Sequence, residues 1–269
     1  MGKKEIIAKS DYIITFGSFL ASDNEIIKDS IIQAIAKNSA EFIYMHPVDN
    51  VDLRVYYSQI IKYEVGSEEG ITALLLDTFI RHTSSTVQEY INDLDIGYIS
   101  AESSAGEEEF EEALEKLADK EEAVLIVGRD IVNHPRVENI IKMLSVLNKY
   151  SKLTVLALDE TVQSAIQKCV EELDEIEELA SYNGTVIYTT FEKENEGKLI
   201  GSESFARVAK VSNKDKVFIN FNNEKIKKDF VIDKDLYGMV ALCALNSEDS
   251  TSLSQGYRFK QVKIEKVDE

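Results

Sequence analysis

"DYIITFGSFLASDN", residues 11–24, decides how the rest of the chain is read. Tyr12, Ile13, Ile14, Thr15 and Phe16 form an almost continuous apolar run that stops at Gly17, which suits a strand covered on both faces. Ser22 stands three residues before Glu25, the spacing of a capping box, so a helix is expected to open there. Ile27, Ile31 and Ile35 then repeat at helical spacing, with Ala34 alongside, up to Asn38. "AEFIYMHP" (40–47) reads as a second buried strand halted by Pro47. Strand, helix and strand in this order make a βαβ unit and predict a parallel sheet.

Outward from that unit, "QIIKYEVGSEEGITALLLDTFI" (59–80) begins strand-like and turns helical at Ser67, with Ile71, Leu74, Leu75, Thr78 and Phe79 facing inward. From Asn92 to Ala105 the periodicity lapses and Asp, Ser and Gly gather, which predicts a connecting segment. A second α/β unit is expected after it. Its parts are a helix over "GEEEFEEALEKLADK" entered through Ser104 and Glu107, a strand "AVLIVG" (123–128), a helix after His134 and a strand "LTVLAL" (153–158). Asp159 to Leu173 reads as helix, and "EELDEIEELA" as its acidic continuation or a loop. Beyond "SYNG", strands are expected at 185–192, 216–221, 225–232, 238–245 and 257–267, with Asn222-Asn223 at a hairpin turn and "SESFARVAK" as a short helix. The expected fold class is α/β, with two Rossmann-like parallel-sheet lobes at 1–100 and 101–180 and a small β-rich C-terminal part at 181–269.

The 269 residues include 49 acidic and 30 basic side chains, a net charge of −19 that repels nucleic acid and anionic lipid surfaces alike. No stretch approaches the roughly 20 apolar residues of a spanning helix, so direct membrane insertion is not expected. The start, "MGKKEIIAKSDYIITF", lacks the apolar block and cleavage site of a signal peptide, and Ile6 stands where an N-myristoylation signal has Ser or Thr. The chain therefore reads as cytoplasmic. Cys169 and Cys243 belong to no CxxC pair, which argues against cluster or zinc ligation by cysteine and fits a reducing compartment. His46, His82 and His134 have no short-range pairing with one another and read as structural or surface residues. The glutamates crowded between 106 and 120 suit either a solvated helix face or a docking face for a basic partner.

The loop Gly17–Asn24 is the first candidate for chemistry, because a helix N-terminus after a strand offers free N–H groups to an anion. It holds one of the three glycines of a dinucleotide fingerprint and lacks the Gly-Lys-Ser/Thr of a P-loop, so it is either an anion site or a plain turn. "VGRDIVNHPR" (127–136) has the same outline after Gly128, with Arg129 and Arg136 available to a phosphate, a carboxylate or a surface ion pair. There is no G-x-S-x-G elbow and no His-Glu-x-x-His or EF-hand motif. The residues argue against an independent catalyst.

Several phrases taken in order carry a resemblance: "SDYIITFGSFLASDNEIIKDSIIQAI", "FIYMHP", "KYEVGSEEGITALLLDTFI", "GYISAESSAGEEEFEEALEKL", "VLIVGRDIVNHPRVENIIKMLSVLNKY", "KLIGSESFARVAK" and "GYRFKQVKIEKV". Together they resemble the molybdopterin oxidoreductase-like C-terminal region of the large iron–sulfur subunit of bacterial respiratory complex I, the NADH-quinone oxidoreductase, over nearly the whole chain. The resemblance implies a fold of the formate dehydrogenase/DMSO reductase type. It also implies other peripheral-arm subunits of complex I as partners, a cytoplasmic place peripheral to the inner membrane, and iron–sulfur clusters in neighbouring domains or subunits. The cofactor-binding positions of the wider family fall by similarity on Gly17, Ser18 and Ser22, on the turn at His46, and on Gly66 and Ser67; Gly128 joins them by its strand-to-helix outline. Where the family's enzymes carry Gly-x-Asn-Pro, Asp-Pro-Arg and Gly-Thr-Asp, this chain has Gly17-Ser18-Phe19, His46-Pro47-Val48 and Gly66-Ser67-Glu68. The loss of those polar partners implies a remnant site with molybdopterin absent, and a scaffold role without catalysis in NADH:quinone oxidoreductase. The alternative is a cofactor- or nucleotide-binding oxidoreductase or sensor domain that keeps a ligand between its α/β lobes.

Overall fold

The run at the head of the sequence pairs on both edges and packs on both faces, which is why it shows no polar alternation. In the computed structural model, which describes residues 2–246 and 251–267 apart from the side chains of Ala21 and Ser22, β1 (Tyr12–Phe16) is buried throughout. With β2 (Glu41–Met45), β3 (Gln59–Ile61), β4 (Ala123–Val127) and β5 (Thr154–Ala157) it forms a sheet in the order β3-β2-β1-β4-β5. Every pair is parallel. Tyr12 stands opposite Glu41 on one side and Ala123 on the other, and Phe16 opposite Met45 and Val127.

This sheet corrects the expectation of two parallel-sheet lobes. β4 and β5 do not begin a second sheet; β4 pairs with β1 along its full length. The compact unit is residues 1–47 and 52–180, while residues 48–51 group with 181–269. A three-stranded sheet of β1–β3 would leave the apolar edge of β1 unpaired, and the returning chain covers it. Strand order leaves no trace in hydrophobic periodicity, so two βαβ outlines in sequence look alike whether they share a sheet or not.

Alternate residues build two cores. Ile13, Phe42, Tyr44, Val124, Ile126 and Leu156 face α1 (Lys3–Lys9), α2 (Leu20–Asp23) and α3 (Glu25–Asn38) through Ile7, Leu20, Ile27 and Ile31. Tyr12, Ile14, Phe16, Met45, Leu125 and Val127 pack with α4 (Glu68–Phe79), α5 (Ser85–Asp93), α6 (Ile96–Ser103), α7 (Glu107–Lys116), α8 (Val137–Tyr150) and α9 (Glu160–Ile166). Helix α4 is buried on nearly every side, which accounts for its unbroken "ITALLL".

Several helix ends differ from expectation. Asn24, not Ser22, caps α3, its side chain accepting from the Ile27 amide at 3.2 Å, while Ser22 sits inside α2 with its side chain outside the described residues. Residues 92–105 hold the end of α5 and all of α6, because Asp95 accepts from the Tyr98 amide at 3.0 Å and supplies a start signal. Ser104 ends α6 in the left-handed conformation, and α7 opens at Gly106, whose amide donates to Glu109 Oε2 at 2.9 Å. Helix α9 ends at Ile166, and residues 169–183 carry no regular structure.

The second unit is a mixed, curled sheet. Its strands are β6 (Val186–Thr190), β7 (Lys198–Gly201), β8 (Lys216–Phe221), β9 (Glu224–Ile232), β10 (Val240–Ala244), β11 (Phe259–Gln261) and β12 (Lys263–Lys266), in the order β11-β6-β10-β7-β9-β8-β12. β6–β10 and β7–β9 are parallel and the other pairs antiparallel. Asn222 and Asn223, with φ of 47° and 66°, turn β8 into β9. α10 (Glu203–Ala209) contributes Phe205 to a core with Ile187, Leu199, Val217 and Phe230. Among the described residues no helix is long and apolar enough to cross a membrane.

Candidate functional site

In a doubly wound sheet of this order, the loops leaving β1 and β4 part in opposite directions, and ligands bind in the crevice between them. Gly17 and Gly128 occupy those two positions. Gly17 has φ +64°, a conformation only glycine adopts without strain, and its amide donates to Met45 O at 3.4 Å. The amide of Gly128 donates to Phe16 O at 2.8 Å and that of Asp130 to Gly17 O at 3.1 Å, so the two loops are hydrogen-bonded to each other. A Cβ on Gly128 would lie 2.0 Å from Gly17 O and 2.4 Å from Ser18 Cβ, and one on Gly17 would lie 3.1 Å from the Ile131 side chain. The space beside Gly128 is thus taken by the backbone of Gly17, and that beside Gly17 by the Ile131 side chain.

Behind this closure lies a buried polar layer. His46, after β2, meets Asp130 with Nε2 and Oδ2 3.0 Å apart, both side chains fully buried. Its ring stacks on Tyr44, 5.8 Å between centroids, with Phe19 tilted against it at the same distance. His134 Nδ1 accepts from the Arg136 amide at 3.0 Å, which leaves Nε2 as the protonated nitrogen, 3.2 Å from Gly66 O and 3.3 Å from Glu68 Oε2. Nε2 therefore donates to the Gly66 carbonyl, with the Glu68 carboxylate alongside. Tyr63 is buried beside the same groups; burial foremost, then the charges of Glu68 and Asp130, hold its phenol well above the usual range. It stays a neutral hydroxyl.

Glu68 and Glu69 are buried in the first turn of α4, where the helix N-terminus favours negative charge. Glu69 accepts from Arg136 Nε at 3.0 and 3.2 Å and from Asn139 Nδ2 at 2.7 Å. Arg136 also donates to Glu177 Oε1 at 2.7 Å and Glu175 O at 2.9 Å, pinning the irregular segment after α9 to the helical layer.

Of the site residues singled out from sequence, all but Ser22, which lies within α2, sit at one end of the sheet. Gly17, Ser18, His46 and Gly128 lie at the carboxyl ends of β1, β2 and β4, and Gly66 and Ser67 lie in the turn into α4. Ser18 is fully buried and its Oγ makes no hydrogen bond among the described residues; the same holds for Thr15 Oγ1. Ser67 Oγ donates to Glu64 O at 2.7 Å and does not cap α4. Arg136 is committed to internal carboxylates and so is not available to an anion, while Arg129 is exposed. The reading of His46 and His134 as mere structural residues missed their carboxylate partners, and Tyr63 and Asp130 were missed altogether. The one signal was Glu68-Glu69 inside an otherwise apolar helix. Among the described residues no three of His, Cys, Asp or Glu lie together as metal ligands would. Comparison with protein-family models finds no match, and comparison with curated proteins finds none either.

Proposed function

We propose that this chain is a scaffold segment, without catalysis of its own, in the peripheral arm of NADH:quinone oxidoreductase. On this reading it is a degenerate molybdopterin-oxidoreductase domain of the formate dehydrogenase/DMSO reductase type. It supports iron–sulfur-bearing neighbours on the cytoplasmic side of the inner membrane, and electrons pass through those neighbours. The reading rests on the ordered phrases of the resemblance, and the observation that carries it is the contact of Gly128 with Gly17. Two turns hydrogen-bonded to each other at such close approach part only if both move, which disfavours a pterin or nucleotide bound between them. Co-purification from the source membrane tests it: the chain is expected to migrate with the other peripheral-arm subunits, and a pool that never does so overturns it.

A second reading is favoured by the buried hydroxyls of Thr15 and Ser18 at the same edge, which make no hydrogen bond among the described residues. It is a cofactor- or nucleotide-binding oxidoreductase or sensor domain. A thermal-shift screen with nucleotides and pterins separates the two. The scaffold reading expects no shift, and saturable stabilisation that is lost in Ser18→Ala supports the second.

A further inference from the structure

Away from the sheet edge, a cavity of about 450 Å³ opens between α5, α6 and the irregular segment after α9. That is within the range of roughly 300–1,000 Å³ of small-ligand pockets. Leu94, Ile99 and Ile176 give it apolar surface, and Tyr90 and Tyr98 give it two aromatic rings. Asp93, Asp95 and Glu175 bring three carboxylates to the same lining.

Local sequence fixes most of this frame. Asp95 caps α6 through the Tyr98 amide, which sets the ring of Tyr98 one turn away. Tyr90 Oη donates to Asp174 O at 3.1 Å, and Arg136 holds Glu175 by its carbonyl at 2.9 Å. The basic groups of the adjoining surface are already engaged, Lys142 with Asp174 and Arg136 with Glu69 and Glu177. Asp93 and Glu175 have no ion pair of their own among the described residues. An anion is repelled from such a lining. A bare hydrated metal ion gains nothing from the tyrosines and aliphatic side chains. Aromatic faces attract an organic cation, carboxylates pair with it, and apolar surface takes its alkyl stem.

We propose that this cavity binds an alkylguanidinium or alkylammonium group, carried either by an arginine or lysine of a basic protein segment or by a free organic cation. The site is separate from the sheet edge and stands whether or not the scaffold role does.

The test is calorimetric titration of the full chain with butylguanidinium chloride, with uncharged butylurea as a control of similar shape. Saturable binding of butylguanidinium and none of butylurea is expected. Tyr98→Ala and Glu175→Gln, both at exposed positions and checked for an unchanged melting curve, should each weaken it about five- to tenfold. Absence of saturable binding, equal binding of butylurea, or wild-type affinity in both variants overturns the proposal. A capped Gly-Arg-Gly peptide identifies the source: affinity matching butylguanidinium points to a protein side chain, and exclusion of the peptide with butylguanidinium retained points to a free cation.

Discussion

Gly128 and Gly17 touch through their backbones: the position a β-carbon of Gly128 would occupy is 2.0 Å from the carbonyl oxygen of Gly17. No rotamer relieves that overlap, because the obstacle is main chain. Gly128→Ala must part the two loops and stretch the bonds from Gly128 to Phe16 and from Asp130 to Gly17. A loss of about 3 kcal/mol is expected in urea unfolding, at the upper end of overpacking costs. Gly97 in α6 is the control. Its nearest neighbour to an added Cβ is Asp95 Oδ1 at 3.8 Å, so Gly97→Ala should stabilise by about 0.5–1 kcal/mol through helix propensity. Equal effects of the two substitutions would refute the closure described for the crevice.

His134 is expected in its Nε2–H neutral tautomer, because its Nδ1 is already an acceptor for a backbone amide. Nitrogen-15 chemical shifts of the two ring nitrogens check this directly. His134→Ala removes a donor from the Gly66 carbonyl and an acceptor from the Arg136 amide, and empties the space beside the buried Glu68 carboxylate, and should cost about 2–3 kcal/mol. His134→Gln, which can donate from its amide nitrogen, should recover part of that loss.

From the start of α8, Arg136 holds α4 through Glu69 and the segment after α9 through Glu177 and the carbonyl of Glu175. Lysine keeps the charge but not the forked geometry. Arg136→Lys should therefore leave global stability lower by only about 1 kcal/mol, since the side chain is partly exposed, while opening the segment after α9 to limited proteolysis. Cleavage sites mapped between residues 167 and 180, faster in the variant, are the expected readout. Unchanged cleavage there would mean that Arg136 does not hold the segment.

The strands of the parallel sheet were legible because burial on both faces writes itself as unbroken apolar runs, as in Tyr12–Phe16 and Ala123–Val127. Their order was not. The pairing of β4 with β1 joins residues over 100 positions apart, and periodicity carries no information at that range. Helix ends were misread where a second residue able to cap stood two positions beyond a serine: Asn24 displaced Ser22, and Gly106 displaced Ser104. At the candidate site the loops were found because they follow strands. The partners that give it character, Asp130 to His46 and Glu68 to His134, come from separate elements, and their burial is a property of the fold alone.

Glu171 accepts from Lys149 Nζ at 2.5 Å, Tyr150 Oη at 2.7 Å and Ser84 Oγ at 2.7 Å, which lowers its carboxyl from 4.5 to about 2. A carboxylate with a depressed folded-state pKa contributes stability that is complete above the unfolded value and is lost as pH falls through the folded one. The difference in urea midpoint between the wild type and Glu171→Gln should thus be present at pH 6 and shrink as the pH is lowered from 4.5 toward 2. Side-chain carboxyl shifts should show Glu171 still ionised at pH 3, and Lys149→Met should move its midpoint back up. A midpoint near 4.5 in the wild type would contradict the tether between this segment, α5 and α8.

The two cysteines should separate cleanly in thiol labelling. Cys243 lies fully buried in β10, and burial pushes its thiol up to about 11 against the weaker opposing effect of Lys228. At pH 8 its thiolate is then about one part in a thousand, and the reagent has no path to it. Cys169 is half-buried in the irregular segment beyond α9, with φ of 43°. An aromatic disulfide reagent at pH 8 should release one equivalent quickly and the second only in denaturant, and Cys169→Ser should abolish the fast one. Two fast equivalents in native protein would mean that β10 opens on the timescale of labelling, and the core formed by Ile187, Leu199 and Cys243 would then not be closed in solution.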